Sequence, residues 1–510
     1  MVRTCVTLFA LAVLVVACAE APPPDAATLL ADSTEALGAA DLDTIEYSGN
    51  GWDSSFGQAW SVQEDWTRSS LTGYNRVIDY ETGTSRHTAQ RQVGMDPAKL
   101  GGGGAQPGAG PTNQQSTIAE TVGFQQKLPI YFTPYGFLRF AAGQEATVEA
   151  ETVDGTRYNV LSFPVAEGEN TYRMRGYFNQ DDLLEKIETW LDNPVMGDML
   201  VEVEFDDYQD VNGLMFPMHI LESRGGLGFK ELTVDSVTPN VVIEEPEQVA
   251  AAGRGGAGGR GAGGGGRGAG GRGAGGGGRG GAAADPEPST QLGEGVWVVN
   301  GGYQSVVVEF ADHSVVIEGA QNAGRSQQII AEAKRLTGDK PIRYYVATHT
   351  HFDHTGGMRD FVAEGATIVA HEIDREFYEM ALNTPHTMNP DLAQEVGATA
   401  TVMGVGDMAV LEDDTQRIEL YKIEGSLHAG DMMIAYLPSI RTIVEADIVQ
   451  PWLGGGFGGG GDGPHPFLVH MKSEMDRLSL DYEQFVPVHA PNPPPTVARE
   501  QLEAAVEGAG

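Results

Sequence analysis

Six consecutive residues, His349-Thr350-His351-Phe352-Asp353-His354, carry three imidazoles and a carboxylate just after the apolar run Tyr344-Tyr345-Val346-Ala347. With 12 His in 510 residues, such crowding is rarely accidental. Imidazole and carboxylate are the donors that borderline cations such as zinc prefer. His349 and His351 are two apart, so an extended backbone points them the same way, and Asp353 continues that parity. His354 reaches a neighbouring ion only if the loop curls, and Thr355-Gly356-Gly357 is placed to supply a tight turn. The chemistry implied is that of a metal site.

The hexad, following a strand, resembles the H-x-H-x-D-H hallmark of the metallo-β-lactamase-fold superfamily, and the resemblance runs from about Leu292 to the C-terminus. It implies three further ligands, in order. They are His428 in Gly425-Ser426-Leu427-His428-Ala429-Gly430-Asp431, Asp447 in Val444-Glu445-Ala446-Asp447, and His489 in Val486-Pro487-Val488-His489. Where relatives often carry Gly-Asp, this chain has Ala446-Asp447. Carried over by position, the pattern implies one metal on His349, His351 and His428. A second lies on Asp353, His354 and His489, and Asp447 bridges the two.

Three His around one zinc leave a position open, the condition for a catalytic site. Two Zn2+ sharing a water make hydroxide available near neutral pH, and Asp353 gains a catalytic duty in orienting it. The expected activity is hydrolysis of an ester, thioester, lactone or amide-like bond in a small-molecule substrate. A β-lactam is not the preferred substrate, because the long N-terminal region points to a more specialised task. Two alternatives stay open: a mononuclear iron dioxygenase of the same fold acting on sulfur compounds, and a non-enzymatic envelope protein that binds lipid or peptide. The absence of Cys from the body of the chain excludes a thiolate ligand and any internal disulfide.

The elements that must present these residues show α/β texture. Strands are expected at 296–300, 305–310, 314–318, 366–370, 417–423, 432–437 and 442–445. A helix over 322–337 places Ile329, Ile330, Ala333 and Leu336 on one face, with Gly338 to end it. A closing helix is expected over 496–506. The resemblance implies an α/β fold for this domain, the αββα metallo-β-lactamase-like sandwich.

Upstream, residues 26–40 read as a helix, and period-two alternation at 201–205, 215–222 and 230–237 predicts a mostly antiparallel β domain with a few helices. Residues 181–190 are expected to be one of those helices. This region resembles the lipoprotein-carrier-like half-barrels of the bacterial envelope; an unrelated β-rich accessory domain is the alternative. Residues 250–284 contain only Gly, Ala and Arg, which cannot build a core and read as a linker. Residues 101–110 form a second Gly-rich insert. The expected organisation is a signal segment over 1–21, an accessory domain over 22–249, a linker over 250–288 and the metal-binding domain over 289–510.

A net charge of −39 argues against nucleic acid as a partner. Arg3 followed by the apolar run Val6–Ala17 reads as an export signal, too short for a comfortable membrane span. Val15-Val16-Ala17-Cys18 resembles a lipobox, which predicts a lipid anchor at Cys18 and a place in the bacterial periplasm or outer membrane. Ordinary cleavage at Ala17-Cys18-Ala19 is the alternative. His371, His386, His465 and His470 are expected to serve packing or surface roles. Trp452 and Phe457, at the Gly-rich stretch 454–463, form either an apolar lid over the site or a solvated loop.

Overall fold

The computed structural model describes residues 22–94, 99, 110–168, 170–243, 289–449, 464–489 and 494–507. The leader, the Gly/Ala/Arg linker, almost all of the 101–110 insert, Trp452, Phe457 and the 454–463 stretch lie outside the described residues. Among those described, no helix is long and apolar enough to cross a membrane.

The N-terminal domain is one antiparallel sheet built from β1 Thr44–Ala59, β2 Trp66–Asp79, β3 Thr84–Val93, β4 Thr112–Ile118, β5 Thr147–Val153, β6 Thr156–Glu167, β7 Asn170–Phe178, β8 Leu184–Asn193, β9 Gly197–Val211, β10 Leu214–Arg224 and β11 Leu227–Pro239. Its order is β4-β3-β2-β1-β11-β10-β9-β8-β7-β6-β5, so β1 closes the long loop back onto the last strand. Alternate residues of these strands, among them Phe163, Met174, Ile187, Val203 and Phe205, share a core with three helices: α1 Ala26–Ala36, α2 Phe124–Tyr131 and α3 Pro134–Ala141. The first helix is shorter than expected. Gly38, at φ +64°, ends it against the β9–β10 turn, where a Cβ would sit 1.9 Å from the Gly213 carbonyl oxygen.

One expectation fails in this domain. Residues 181–190 are not a helix, because Leu184–Asn193 is strand β8. Leu184, Ile187 and Leu191 recur at helical spacing, but β7 and β9 pair with the segment on both sides and fix it as extended. Tertiary hydrogen bonding outweighs an ambiguous apolar period. An open cleft of about 800 Å³ lies between α1 and the β9–β10 turn, lined by both apolar (Leu30, Leu214) and polar (Thr34, Asn212, Asn240) residues.

The C-terminal domain holds two sheets. The first runs in order through β12 Thr290–Gly293, β13 Val296–Val299, β14 Ser305–Glu309, β15 Ser314–Ile317, β16 Ile342–Val346, β17 Thr367–His371 and β18 Thr401–Val405. It is antiparallel up to β15 and parallel from there on. The second contains β19 Met408–Glu412, β20 Arg417–Lys422, β21 Met433–Leu437, β22 Thr442–Glu445, β23 Gln484–Pro487 and β24 Val497–Ala498.

Three apolar layers separate the elements of this domain. Val306, Val308, Val315 and Ile317 face Ile418, Leu420, Met433 and Val444 between the sheets. Val307 and Val316, of opposite parity, face α4 Ala323–Thr337 through Ile329, Ile330 and Ala333. On the far side Ile434, Tyr436 and Ile443 meet Phe467 and Met471 of α9 and Leu502 of α10 (Pro466–Leu478 and Arg499–Glu507). Helix, sheet, sheet, helix is the expected αββα order, and β-strand alternation produces it by burying both faces. The remaining helices are short: α5 Phe352–Thr355, α6 Met358–Ala363, α7 Arg375–Ala381 and α8 Leu392–Val396. Gly338, in the left-handed conformation at φ +65°, ends α4 as expected.

Among the described residues, the two domains meet at two places. Asp198, in β9, accepts from Thr387 N, Thr387 Oγ1 and Met388 N of the C-terminal domain. The second contact is made by the β1–β2 hairpin, and it falls on the metal-ligand candidates.

Candidate metal centre

Buried strands end together at the site. β16 leads through Thr348 to His349 and His351; β22 leads through Ala446 to Asp447; β23 leads through Val488 to His489; and His428 precedes β21. All seven side chains singled out in the sequence converge. His349 Nε2 lies 3.0 Å from His351 Nδ1 and 3.3 Å from His428 Nε2, and His351 Nδ1 lies 3.0 Å from His428 Nε2. A few ångströms away, His354 Nε2 is 3.0 Å from His489 Nε2, and Asp353 Oδ2 is 3.7 and 4.0 Å from the same two nitrogens. Asp447 stands between the groups. Its Oδ2 is 3.2 Å from both His349 and His428 and 2.9 Å from His354, while Oδ1 is 2.6 Å from His489.

The donor set fits a pair of cations. Imidazole nitrogens facing one another at 3.0 to 3.3 Å have more lone pairs than protons to share. Two nitrogens each about 2.0–2.1 Å from one tetrahedral zinc stand about 3.3 Å apart, close to the spacing seen. The His349, His351, His428 and Asp447 atoms, and separately those of Asp353, His354 and His489, each lie within 4.8 Å of one another. The cluster is of a kind that could hold a metal ion.

Side chains that the sequence did not single out hold the ligands in place. Glu318, fully buried, receives Thr348 N and Oγ1 on one carboxylate oxygen, both at 2.7 Å, and meets His354 Nδ1 at 3.1 Å on the other. His354 therefore turns Nε2 toward the cluster, the usual arrangement of a carboxylate behind a metal-bound imidazole. Tyr303 donates its hydroxyl to Asp353 Oδ2 at 2.8 Å, and its ring packs edge-on to His489 with centroids 4.4 Å apart. Asp431 takes Thr350 N and Oγ1 at 2.8 and 2.7 Å and fixes the turn between His349 and His351. Both Glu318 and Asp447 are non-glycine residues in the left-handed region, at φ +64° and +63°. Such conformations cost roughly 1–3 kcal/mol each and cluster at functional sites.

The site is also supported from the N-terminal domain. Gln58 Nε2 donates to Asp353 Oδ1 at 2.8 Å, His351 Nε2 donates to the Ala59 carbonyl at 2.9 Å, and Gly430 N donates to the Trp60 carbonyl at 2.6 Å. Phe352, inside the hexad, turns away from the cluster into the edge of Phe56 and Trp66, which stack on each other at 4.0 Å.

Charge follows from this packing. Burial opposes a charged His354, yet Asp447, Asp353 and Glu318 hold it protonated well above the ordinary imidazole range. Burial and the neighbouring His349 and His428 push His351 down. Asp447 stays ionised despite burial because His489, His354 and His428 surround it, and Asp353 behaves likewise beside His354. Glu445, buried beneath the Asp447 turn, accepts from Ile448 N at 3.0 Å and is pushed up to about 8 by burial.

One local expectation is revised. Gly356 and Gly357 do not turn the chain through positive φ; they lie at −63° and −119°. The curl is the one-turn helix α5, and the glycines are there for clearance. A Cβ on Gly357 would sit 2.2 Å from Ser326 Oγ, and one on Gly356 2.6 Å from the Gln321 carbonyl. The four other His expected to serve packing or surface roles do stay outside the cluster: His371 and His465 accept from Ile373 N and Phe467 N at helix starts, His470 donates to the Glu424 carbonyl, and His386 is buried near Asp192 and Asp391.

Residues 299–471 match the family model described as the metallo-beta-lactamase superfamily. Over 175 residues the chain is 24% identical to a linear primary-alkylsulfatase of Pseudomonas sp. (strain ATCC 19151), covering 28% of this chain and 33% of that protein. Over 167 residues it is 25% identical to the 2,4-dinitroanisole O-demethylase subunit alpha of Nocardioides sp. (strain JS1661), covering 32% and 47%. The match thus spans a third to about half the length of these curated relatives. Among solved structures, a metallo beta lactamase from Hirschia baltica is 20% identical with a TM-score of 0.33, covering 44% of this chain and 97% of that one. FIM-1 from Pseudomonas aeruginosa, in a mono-zinc form, is 19% identical with a TM-score of 0.32, covering 44% and 95%.

Proposed function

We propose that the C-terminal domain, a metallo-beta-lactamase superfamily domain over residues 299–471, is a binuclear metal-dependent hydrolase. The observation that carries this reading is Asp447, whose two carboxylate oxygens reach both ligand groups at 2.6 to 3.2 Å. His349, His351 and His428 would hold one zinc, and Asp353, His354 and His489 the other. Such a pair supplies Lewis acidity and lowers the pKa of water toward neutrality.

The chain's own residues do the rest. Glu318 and the Ala59 carbonyl fix imidazole orientation at His354 and His351. Asp353, held by Gln58 and Tyr303, presents an ionised carboxylate that orients the attacking oxygen. Tyr303, kept neutral by burial and by Asp353, retains a hydroxyl that can donate.

The substrate is a small molecule with an ester, thioester, lactone or amide-like bond. The names of the relatives widen the trial set to alkyl sulfates and aryl methyl ethers. The same proposal places the protein outside the cytoplasm with a lipid anchor at Cys18. Fractionation of cells carrying Cys18→Ala tests this, with release from the membrane as the expected result.

The deciding experiment is elemental analysis of the full chain beside Asp447→Ala, followed by hydrolysis assays on that trial set. About two zinc per chain, fewer in the variant, together with turnover of a member of the set, supports the reading. A single iron with oxygen consumption would replace it with an oxidative one, and no metal would remove it.

A further inference from the structure

We propose that the tip of the β1–β2 hairpin is a working wall of the metal centre, in which Gln58 positions Asp353 and the Ala59 carbonyl orients His351. The inference rests on the metal-dependent reading above and extends the centre into the other domain.

Two consecutive residues of the hairpin address two members of the cluster, and the next holds the loop that follows a third. Asp353 Oδ2 faces His354 and His489 and also receives the Tyr303 hydroxyl, while Oδ1 is tied to Gln58 Nε2 at 2.8 Å. Anchoring Oδ1 fixes the carboxylate plane and leaves Oδ2 aimed at the second ligand group. His351 turns Nδ1 toward His349 and His428, so its proton resides on Nε2, where the Ala59 carbonyl accepts it at 2.9 Å. That bond selects the tautomer whose Nδ1 lone pair is free for a cation. The Trp60 carbonyl then takes Gly430 N, two residues beyond His428.

Shape complementarity makes this more than incidental domain contact. Gly57 adopts φ +74°, and a Cβ there would stand 2.5 Å from the Phe352 ring. Across the same contact, a Cβ on Gly430 would stand 2.5 Å from the Trp60 ring. Each domain gives up a side chain where the other advances, and Phe352 is clamped by Phe56 and Trp66 beside the ligands it separates. The metal-ligand loop is therefore completed by residues almost 300 positions upstream.

The test uses full-length protein loaded with Co2+, as wild type, Gln58→Ala and Gln63→Ala; Gln63 is exposed on the same hairpin. Three readouts are taken: Co2+ retained against a fixed chelator, the visible Co2+ absorption bands, and Tm with and without metal. Gln58→Ala is expected to weaken retention by about tenfold or more, the usual effect of losing a partner behind a ligand. It should also shift the absorption bands and shrink the metal-induced rise in Tm, lowering Tm more with metal than without. Gln63→Ala should match wild type throughout. Wild-type bands and retention in Gln58→Ala would overturn the proposal, as would an equal drop in Tm with and without metal, since Gln58 would then serve only as a domain contact. Wild-type protein that retains no Co2+ removes the metal reading itself and this proposal with it, a result distinct from either of those.

Discussion

Glu318 Oε2 lies 3.1 Å from His354 Nδ1, and both side chains are wholly buried. The other oxygen of Glu318 caps Thr348, the residue that begins the run into His349. One carboxylate thus ties the end of β15 to both ligand groups. Glu318→Gln cannot satisfy every donor, because its amide nitrogen must face either Thr348 or the side shared by His354 and Gly319 N. The expected result is a fall in metal affinity of about 10- to 100-fold, concentrated at the site that includes His354. Competition with a chromogenic chelator, read as metal retained per chain, checks it.

Tyr303 touches the site through both its hydroxyl and its ring. Tyr303→Phe keeps the ring packing against His489 and removes the hydroxyl, with its hydrogen bond to Asp353 and its interaction with Gln321. Stability should change by about 1 kcal/mol or less. If Tyr303 positions Asp353, kcat should fall about tenfold, on the order of the 1.4 kcal/mol that such a bond supplies, with little change in metal content. An unaltered kcat would show that Asp353 needs no second anchor.

Interdomain fit should be measurable at Gly430. Its backbone φ is not positive, so Gly430→Ala adds a methyl group without backbone strain, 2.5 Å from the Trp60 ring. Overpacking of this kind costs about 1–3 kcal/mol. Thermal unfolding should show a lowered Tm. A companion Trp60→Ala in the Gly430→Ala background should recover part of the loss.

A pH effect should arise from Asp374. Burial, then the neighbouring Asp431 carboxylate, push its carboxyl from the usual 3.8 up to about 11. It carries a proton in the folded chain and is ionised in the unfolded one at neutral pH. Its contribution is therefore intact below about pH 4 and is lost progressively as pH rises from there toward 11. Asp374→Asn mimics the protonated form and removes this slope. The variant should gain stability relative to wild type between pH 6 and pH 9, in urea unfolding at both values; equal gains would show that Asp374 does not titrate in this window.

Local sequence was sufficient where local geometry decides the outcome. Three His and an Asp in six residues at a strand end cannot all avoid one another, so the hexad announced itself, and His428, Asp447 and His489 were legible from a strand-end pattern that resembles a known family. The αββα layers follow from alternation such as Val306, Val307 and Val308, whose successive side chains enter different cores. Where two local readings compete, the chain alone does not choose. Leu184, Ile187 and Leu191 suit a helix as well as a strand until β7 and β9 claim their backbone groups. Gly356 and Gly357 look like turn residues until the packing of 321–326 against them shows that they provide clearance.

The partners behind the ligands were not legible at all. Glu318, Tyr303 and Gln58 are single polar residues in ordinary strands and loops, and the Ala59 acceptor is a backbone carbonyl with no side-chain signature. Gln58 and Asp353 are 295 positions apart. The sequence determined which residues could bind metal, because ligand chemistry is a property of side chains and short spacing. Only the tertiary structure decided how those ligands are aimed, because aim depends on hydrogen bonds between strands and between domains that no local pattern encodes.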